Sequence, residues 1–103
     1  MVIRNTNIEL DDQMFAEFCR RHHVKRLSLF GSVLTDQFHD DSDIDMLVEF
    51  EAGARVSLFD IGGMVYELTE KLGRQVDIRT AGFLSPYFRQ EVIDQAELIY
   101  EAR

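Results

Sequence analysis

Three aspartates are the residues of this chain whose type and spacing are best suited to chemistry. Asp43 and Asp45 stand one residue apart where the segment 44–50 begins, and Asp77 lies inside a second short segment, 75–79. Apolar and polar residues alternate in both segments, as expected for strands with one face in the core. The three carboxylates then share the other face. If the strands are neighbours, the carboxylates lie within a few ångströms of one another, because adjacent strands are about 4.8 Å apart.

Such a carboxylate cluster needs a positive partner, because ionised groups of like charge at short range repel one another. Oxygen ligands on a rigid sheet suit Mg²⁺, which keeps several waters and is usually completed by substrate phosphates. The pattern is therefore compatible with a metal that binds together with a nucleotide. Alternation alone is more typical of aspartates that merely solvate an exposed sheet face. An EF-hand calcium loop starting at Asp41 is excluded, since Met46 replaces its glycine and Ala52 its final glutamate.

A glycine–serine pair gives a second indication of phosphate binding. Gly31 and Ser32 follow the β-rich segment 25–30, and glycine permits a tight turn that brings a ligand close to the backbone. Ser32 is expected to begin a short helix over 32–38, whose free N–H groups and positive dipole end favour phosphate. The pair gains weight from its fixed distance to the two closely spaced aspartates.

The elements that must position these residues predict a small α/β (α+β) domain, with one mixed β-sheet and helices on its apolar face. In chain order they are a helix over 11–22, a strand over 25–30, a short helix over 32–38, a strand over 44–50, a helix over 57–72, a strand over 75–79 and a helix from 85 toward 100. Asp11 or Asp12 is the expected N-cap of the first helix. Ser57 is expected to cap the helix over 57–72 and Gly73 to end it. The apolar stripe of that helix comprises Leu58, Ile61, Val65, Leu68 and Leu72.

Two glycines inside that helix stand outside these motifs. Gly62 and Gly63 each cost about 1 kcal/mol relative to alanine in a helix interior. Such a pair suggests the close approach of another backbone or of a ligand, and packing within the fold is the favoured interpretation. Tyr66, Tyr87 and Phe88 are candidates for a partner surface.

The composition favours a single domain over residues 1–103 in a reducing compartment. The net charge of −8 argues against direct binding of nucleic acid, because such affinity comes mostly from Lys and Arg at phosphates. The single cysteine, Cys19, excludes an internal disulfide and is expected in the core. No apolar run is long enough for a membrane span and no signal peptide is visible. A cytoplasmic location without membrane contact is therefore expected.

The motifs together resemble the signature of the DNA polymerase β-like nucleotidyltransferase superfamily. Its elements here are Gly31-Ser32, ten intervening residues, Asp43-Ile44-Asp45 and a third aspartate, Asp77, on a later strand. Size and flanks resemble the minimal nucleotidyltransferases, the MNT antitoxins that are paired with HEPN toxins. The similarity covers most of the chain. The run Val33–Asp36 departs from the x-Ala-Arg-Gly common in the family and lacks an arginine that could hold a triphosphate.

The resemblance implies transfer of AMP from ATP to an acceptor hydroxyl, with pyrophosphate as the leaving group. In this branch the implied acceptor is a tyrosine of a cognate HEPN ribonuclease toxin, which the modification inactivates within a hetero-oligomer. Asp43 and Asp45 are thereby implied to bind two Mg²⁺ ions, and Asp77 to complete the second metal site and accept the hydroxyl proton. Gly31 and Ser32 are implied to hold the outer phosphates.

Other interpretations remain open beside this one. Arg79, on the strand face of Asp77, is a candidate for a phosphate or acceptor contact, with a plain salt bridge as the alternative. The chain could be an antitoxin that neutralises its toxin by binding alone, which the altered run Val33–Asp36 keeps possible. It could also modify a small hydroxylated molecule, although such enzymes usually carry an additional substrate domain for which 103 residues leave no room.

Overall fold

The chain folds around one mixed sheet, and the computed structural model describes residues 9–102. In chain order the elements are α1 (Asp12–Arg21), β1 (Val24–Phe30), β2 (Ile44–Phe50), α2 (Leu58–Leu72), β3 (Val76–Arg79), α3 (Arg89–Gln95) and β4 (Glu97–Glu101), with short 3-10 turns at Gly31–Leu34 and Ala81–Phe83. The strand order is β3-β2-β1-β4. β1 is antiparallel to β2 and β4, whereas β2 and β3 are parallel. The predicted fold class, α+β with a small mixed sheet, is confirmed.

The core lies between the sheet and the two longer helices. Alternate residues of β2, namely Ile44, Met46 and Val48, are buried on one sheet face. The same hydrophobic cluster contains Phe15, Phe18 and Cys19 from α1 and Met64 and Leu68 from α2. Cys19 is a buried free thiol, as predicted. The opposite face of the sheet therefore carries the polar members of the alternation.

The helix predicted over 57–72 forms with the expected boundaries. Ser57 and Asp60 make a reciprocal capping box at its start, and Gly73 ends it in a left-handed conformation. The predicted stripe was wrong at Leu58, whose exposed fraction is 69%. Met64, which the predicted stripe omitted, is buried together with Leu68. Leu58 lies six positions before Met64, which places it about 120° away from Met64 around the helix and away from the core.

Two predicted helices differ in the structure. The helix expected from 85 toward 100 covers only Arg89–Gln95, and the following residues form β4. The segment 97–101 pairs with the otherwise open edge of β1, and this long-range pairing overrides its local helical pattern. The helix expected over 32–38 is reduced to the 3-10 turn Gly31–Leu34. The segment that follows contains two side-chain-capped turns, at Thr35 and at Ser42, which favour loop over helix.

The part of the chain described here, residues 9–102, contains no helix both long and apolar enough to span a membrane.

Candidate active site

Asp45 and Asp77 are directly paired residues on neighbouring parallel strands. β2 and β3 align so that Asp45 lies opposite Asp77, on the sheet face opposite α1 and α2. A backbone bond from the Ile44 N–H to the Gln75 carbonyl, 2.9 Å long, starts this pairing. Asp43 lies one residue before β2, is exposed, and belongs to the same side of the alternation. The two strands are neighbours, which is the condition under which the sequence places the carboxylates close together.

The neighbouring charges act on the carboxyl group of Asp45. Partial burial raises the pKa of its carboxyl, and the carboxylates of Asp77 and Asp43 raise it further, while Arg79 acts in the opposite direction. Two like charges close to a half-buried carboxylate are the arrangement that a cation would relieve. The site thus concentrates negative charge around Asp45, on the sheet face opposite α1 and α2.

The turn at Gly31 lies against the Asp45 carboxylate. Gly31 has a φ of +77°, and a Cβ placed on it would stand 2.6 Å from Asp45 Oδ2. A side chain at this position would displace the Asp45 carboxylate, and the backbone conformation itself favours glycine. β1 and β2 produce this contact, because Phe30 at the end of β1 lies opposite Asp45.

Ser32 follows in the 3-10 turn and is half-buried. Its carbonyl accepts hydrogen bonds from the Thr35 N–H and the Thr35 hydroxyl, both 2.9 Å long. A cavity of about 680 Å³ opens beside this turn, between Gly31 and Thr35 on one side and Phe88 and Val92 on the other. That volume falls in the range of small-molecule sites. The structure therefore brings Gly31 next to Asp45 and places Ser32 one residue further along.

Arg79 pairs with Asp77. Its Nε donates a 2.9 Å hydrogen bond to Asp77 Oδ2, and about half of its side chain remains exposed. The salt bridge that the sequence left open is thus present, and a contact with phosphate or acceptor stays a prediction.

The donor set at this edge fits Mg²⁺ by its chemistry. All the candidate ligand atoms are carboxylate oxygens, and two of the three carboxylates belong to directly paired residues. Ligand sets made only of oxygen suit this ion. Within residues 9–102, no cluster of three or more His, Cys, Asp and Glu side chains is arranged as a metal centre. Arg79 engages only Oδ2 of Asp77, so Oδ1 of this carboxylate remains available. Asp43, Asp45 and Asp77 are therefore the residues that could hold the ion.

A residue whose role the sequence did not reveal, Arg74, holds the loop before Asp43. Its Nη2 donates 2.8 Å hydrogen bonds to the carbonyls of His39 and Ser42, and its guanidinium lies 4.8 Å from the centre of the Phe38 ring. These contacts join residues more than thirty positions apart in the chain. No local sequence pattern predicts these contacts, because a single arginine after a helix is common.

Comparison with known proteins identifies the family of this chain. The family model described as "Nucleotidyltransferase domain" matches residues 12–99. A Methanocaldococcus jannaschii protein that is named a protein adenylyltransferase is 41% identical over 76 residues, which are 74% of this chain and 80% of that protein.

Solved structures show the same fold. A toxin–antitoxin crystal structure with AMP-PNP superposes with a TM-score of 0.72 at 21% identity, covering 91% of this chain and 76% of that one. A structure of a tri-AMPylated HEPN toxin of Shewanella oneidensis with its MNT antitoxin gives a TM-score of 0.63 at 19% identity, covering 88% and 70%. Fold, motif geometry and family model agree, and the chain belongs to the nucleotidyltransferase domain family.

Proposed function

We propose that this protein is an antitoxin that transfers AMP from ATP to a tyrosine hydroxyl of a cognate HEPN toxin and thereby inactivates the toxin. The observation that carries the proposal is the pairing of Asp45 with Asp77 beside a turn whose backbone conformation favours glycine. Support comes from the relative named a protein adenylyltransferase and from the neighbour solved with an AMPylated HEPN toxin. The enzyme acts as one domain over residues 1–103, of which 1–8 and 103 lie outside the described part.

The aspartates have separate roles in this reaction. Asp43, Asp45 and Asp77 are the residues to hold two Mg²⁺ ions, which when bound neutralise the triphosphate and lower the pKa of the acceptor hydroxyl. The hydroxyl oxygen attacks the α-phosphorus of ATP, the bond to the β-phosphate oxygen breaks, and pyrophosphate leaves. Asp77 accepts the hydroxyl proton through the oxygen that Arg79 does not engage.

The turn after β1 positions the nucleotide. Gly31 lets the backbone come close to the Asp45 carboxylate, and Ser32 with its neighbouring backbone holds the outer phosphates. Arg79 supplies a positive charge at the same edge of the sheet. The run Val33–Asp36 contains no basic residue that could do so. Charge neutralisation and alignment dominate phosphoryl transfer, so each of these contacts matters for the rate.

The cellular setting follows from the same proposal. The partner is a protein, and the complex is a hetero-oligomer without nucleic acid or membrane. A net charge of −8 supports the absence of nucleic acid, and the buried free thiol of Cys19 supports a cytoplasmic location.

Intact-protein mass spectrometry of the toxin tests this function directly. The toxin is incubated with this protein, Mg²⁺ and ATP, and we expect it to gain whole AMP units. Asp43→Asn and Asp45→Asn are expected to lower the transfer rate at least about a hundredfold, because a lost charge at the metal site is not replaced. Asp41→Asn is the matched control: it removes the same charge from the same exposed loop and should keep the activity.

The second candidate function is neutralisation by binding alone, which the missing arginine in Val33–Asp36 favours. A toxin that is bound and silenced yet gains no AMP, with the Asp43→Asn variant equally effective, would establish that function and exclude the proposed one.

A further inference from the structure

The outer face of α2 carries an exposed stripe of residues that lie outside the hydrophobic core. Phe59 and Tyr66 are 90% and 70% exposed, and the exposed Gly62 and Gly63 lie between them. The four residues are spaced i, i+3, i+4 and i+7, so they form one continuous surface on the helix. We call these residues the α2 stripe.

The two glycines of the stripe have no packing partner within residues 9–102. A Cβ placed on either Gly62 or Gly63 would meet nothing within 4 Å, and neither has the positive φ that favours glycine. Packing within the fold, the interpretation favoured from the sequence, is therefore wrong. Glycine is the least favourable helix residue after proline. A helix surface without side chains does, however, let a second helix approach closely, because interaxial distance depends on the side chains at the contact.

The charges next to the stripe are complementary to one another. Arg55 precedes α2 and Glu70 lies in its last turns; both are exposed, and neither takes part in an ion pair with another residue of 9–102. If two copies of α2 cross antiparallel with Gly62 facing Gly63 of the other copy, Phe59 faces Tyr66. The same arrangement brings the segment before α2, which carries Arg55, toward the C-terminal part of the other α2, which carries Glu70.

We propose that the α2 stripe is the interface of a two-fold symmetric dimer of this chain. Such an interface needs a self-complementary patch, and a stripe with glycines at its centre, aromatic rings beyond them and opposite charges at its ends meets that condition. α2 packs on the core face of the sheet, so the dimer leaves Asp45 and Asp77 accessible in both copies. This proposal is independent of the AMP-transfer function.

The size of the stripe predicts a weak dimer. Phe59, Tyr66 and the neighbouring exposed Leu58 together offer about 400 Å² per chain, against about 800 Å² per partner in a standard stable interface. We expect a dissociation constant in the range of roughly 1 to 100 µM, with exchange between monomer and dimer on dilution.

Sedimentation equilibrium over a range of concentrations tests the dimer. We expect the wild-type mass to rise from 12.0 kDa toward twice that value. The double variant Gly62→Gln, Gly63→Gln should remain monomeric at every concentration, yet melt at a higher temperature, because glutamine is the better helix former. A variant that dimerises like the wild type, or one that melts at a lower temperature, would overturn the proposal, since the glycines would then serve another purpose.

A charge exchange tests the register. Arg55→Glu and Glu70→Arg should each weaken dimerisation about tenfold, because each change places like charges together at both ends of the two-fold interface. The double variant should recover the wild-type dissociation constant. Arg20→Glu, the same charge change on α1 beside β4, is the control and should leave dimerisation unaffected.

A wild-type chain that stays monomeric at every concentration would contradict a second copy as the occupant of this face. In that case, binding of the toxin by the glutamine variant gives one of two results. Either the variant binds the toxin like the wild type, or it loses this binding. The second result would assign the stripe to the toxin. AMP transfer by the monomeric variants is measured in parallel, so a failure of the dimer and a failure of the proposed function are distinguishable.

Discussion

Gly31 combines a positive φ with a close approach to Asp45, a proposed metal ligand. A methyl group at this position would collide with Asp45 Oδ2 at 2.6 Å, on a backbone with φ of +77°. The carboxylate has to move to accommodate it, and the carboxylate is the proposed metal ligand. Gly31→Ala should therefore lower the rate of AMP transfer at least about a hundredfold, and the free energy of unfolding by about 1–2 kcal/mol. Transfer is measured by mass spectrometry of the toxin, and stability by urea unfolding.

Gly53→Ala is the matched control for this substitution. Gly53 also has a positive φ, of +84°, but an added Cβ would meet nothing within 4 Å. We expect a similar loss of stability, about 1 kcal/mol, with the transfer rate unchanged. Equal activity of the two variants would contradict a role for the Gly31 turn beyond its own backbone strain.

Among the elements, the loop between the Gly31 turn and β2 depends on a contact from the segment before β3. Arg74 donates to two carbonyls of this loop and covers Phe38. Arg74→Ala should release residues 36–43 and lower the transfer rate about tenfold, because a misplaced Asp43 weakens the site without deleting it. Hydrogen exchange of this loop is expected to rise, while exchange of β2 and α2 stays slow.

Arg74→Lys separates charge from geometry in this contact. Lysine keeps the charge but lacks the planar fork that holds two carbonyls at once, so it should behave like the alanine variant. Full activity in Arg74→Lys, or unchanged exchange of the loop in Arg74→Ala, would argue against a positioning role for this residue.

The elements also show which parts of the fold a sequence can predict. α2 was predicted with its boundaries because its N-cap Ser57, its apolar periodicity and Gly73 are local signals. The common face of the aspartates was predicted because strand alternation fixes it, whereas their direct pairing came from the structure. β4 was missed because its formation depends on the free edge of β1, which is distant in sequence. Arg74 was missed for the same reason, since its partners lie more than thirty residues away.

Over the whole molecule, one ion cluster joins the two helices that cover the core. Glu67 of α2 accepts from the guanidinium of Arg21 with both oxygens, lies 3.2 Å from His22 Nε2, and has Lys71 at 3.7 Å. The hydrogen bond with Arg21 is the main cause that lowers the pKa of Glu67 from its ordinary 4.5 to about 2, with His22 contributing. The cluster thus holds α1 against α2 across 46 residues of sequence.

The sign of this pKa shift predicts how stability depends on pH. A carboxyl whose pKa is lower in the folded state stabilises the fold above its unfolded pKa of 4.5, and this contribution is lost as the pH falls toward 2. Glu67→Gln should therefore lower the free energy of unfolding by about 1 kcal/mol at pH 7, a value reduced by the solvent exposure of Arg21. The difference between variant and wild type should shrink below pH 4.5 and vanish near pH 2. Urea unfolding at a series of pH values measures it. A difference that stays constant over this range would show that Glu67 acts through packing and not through its charge.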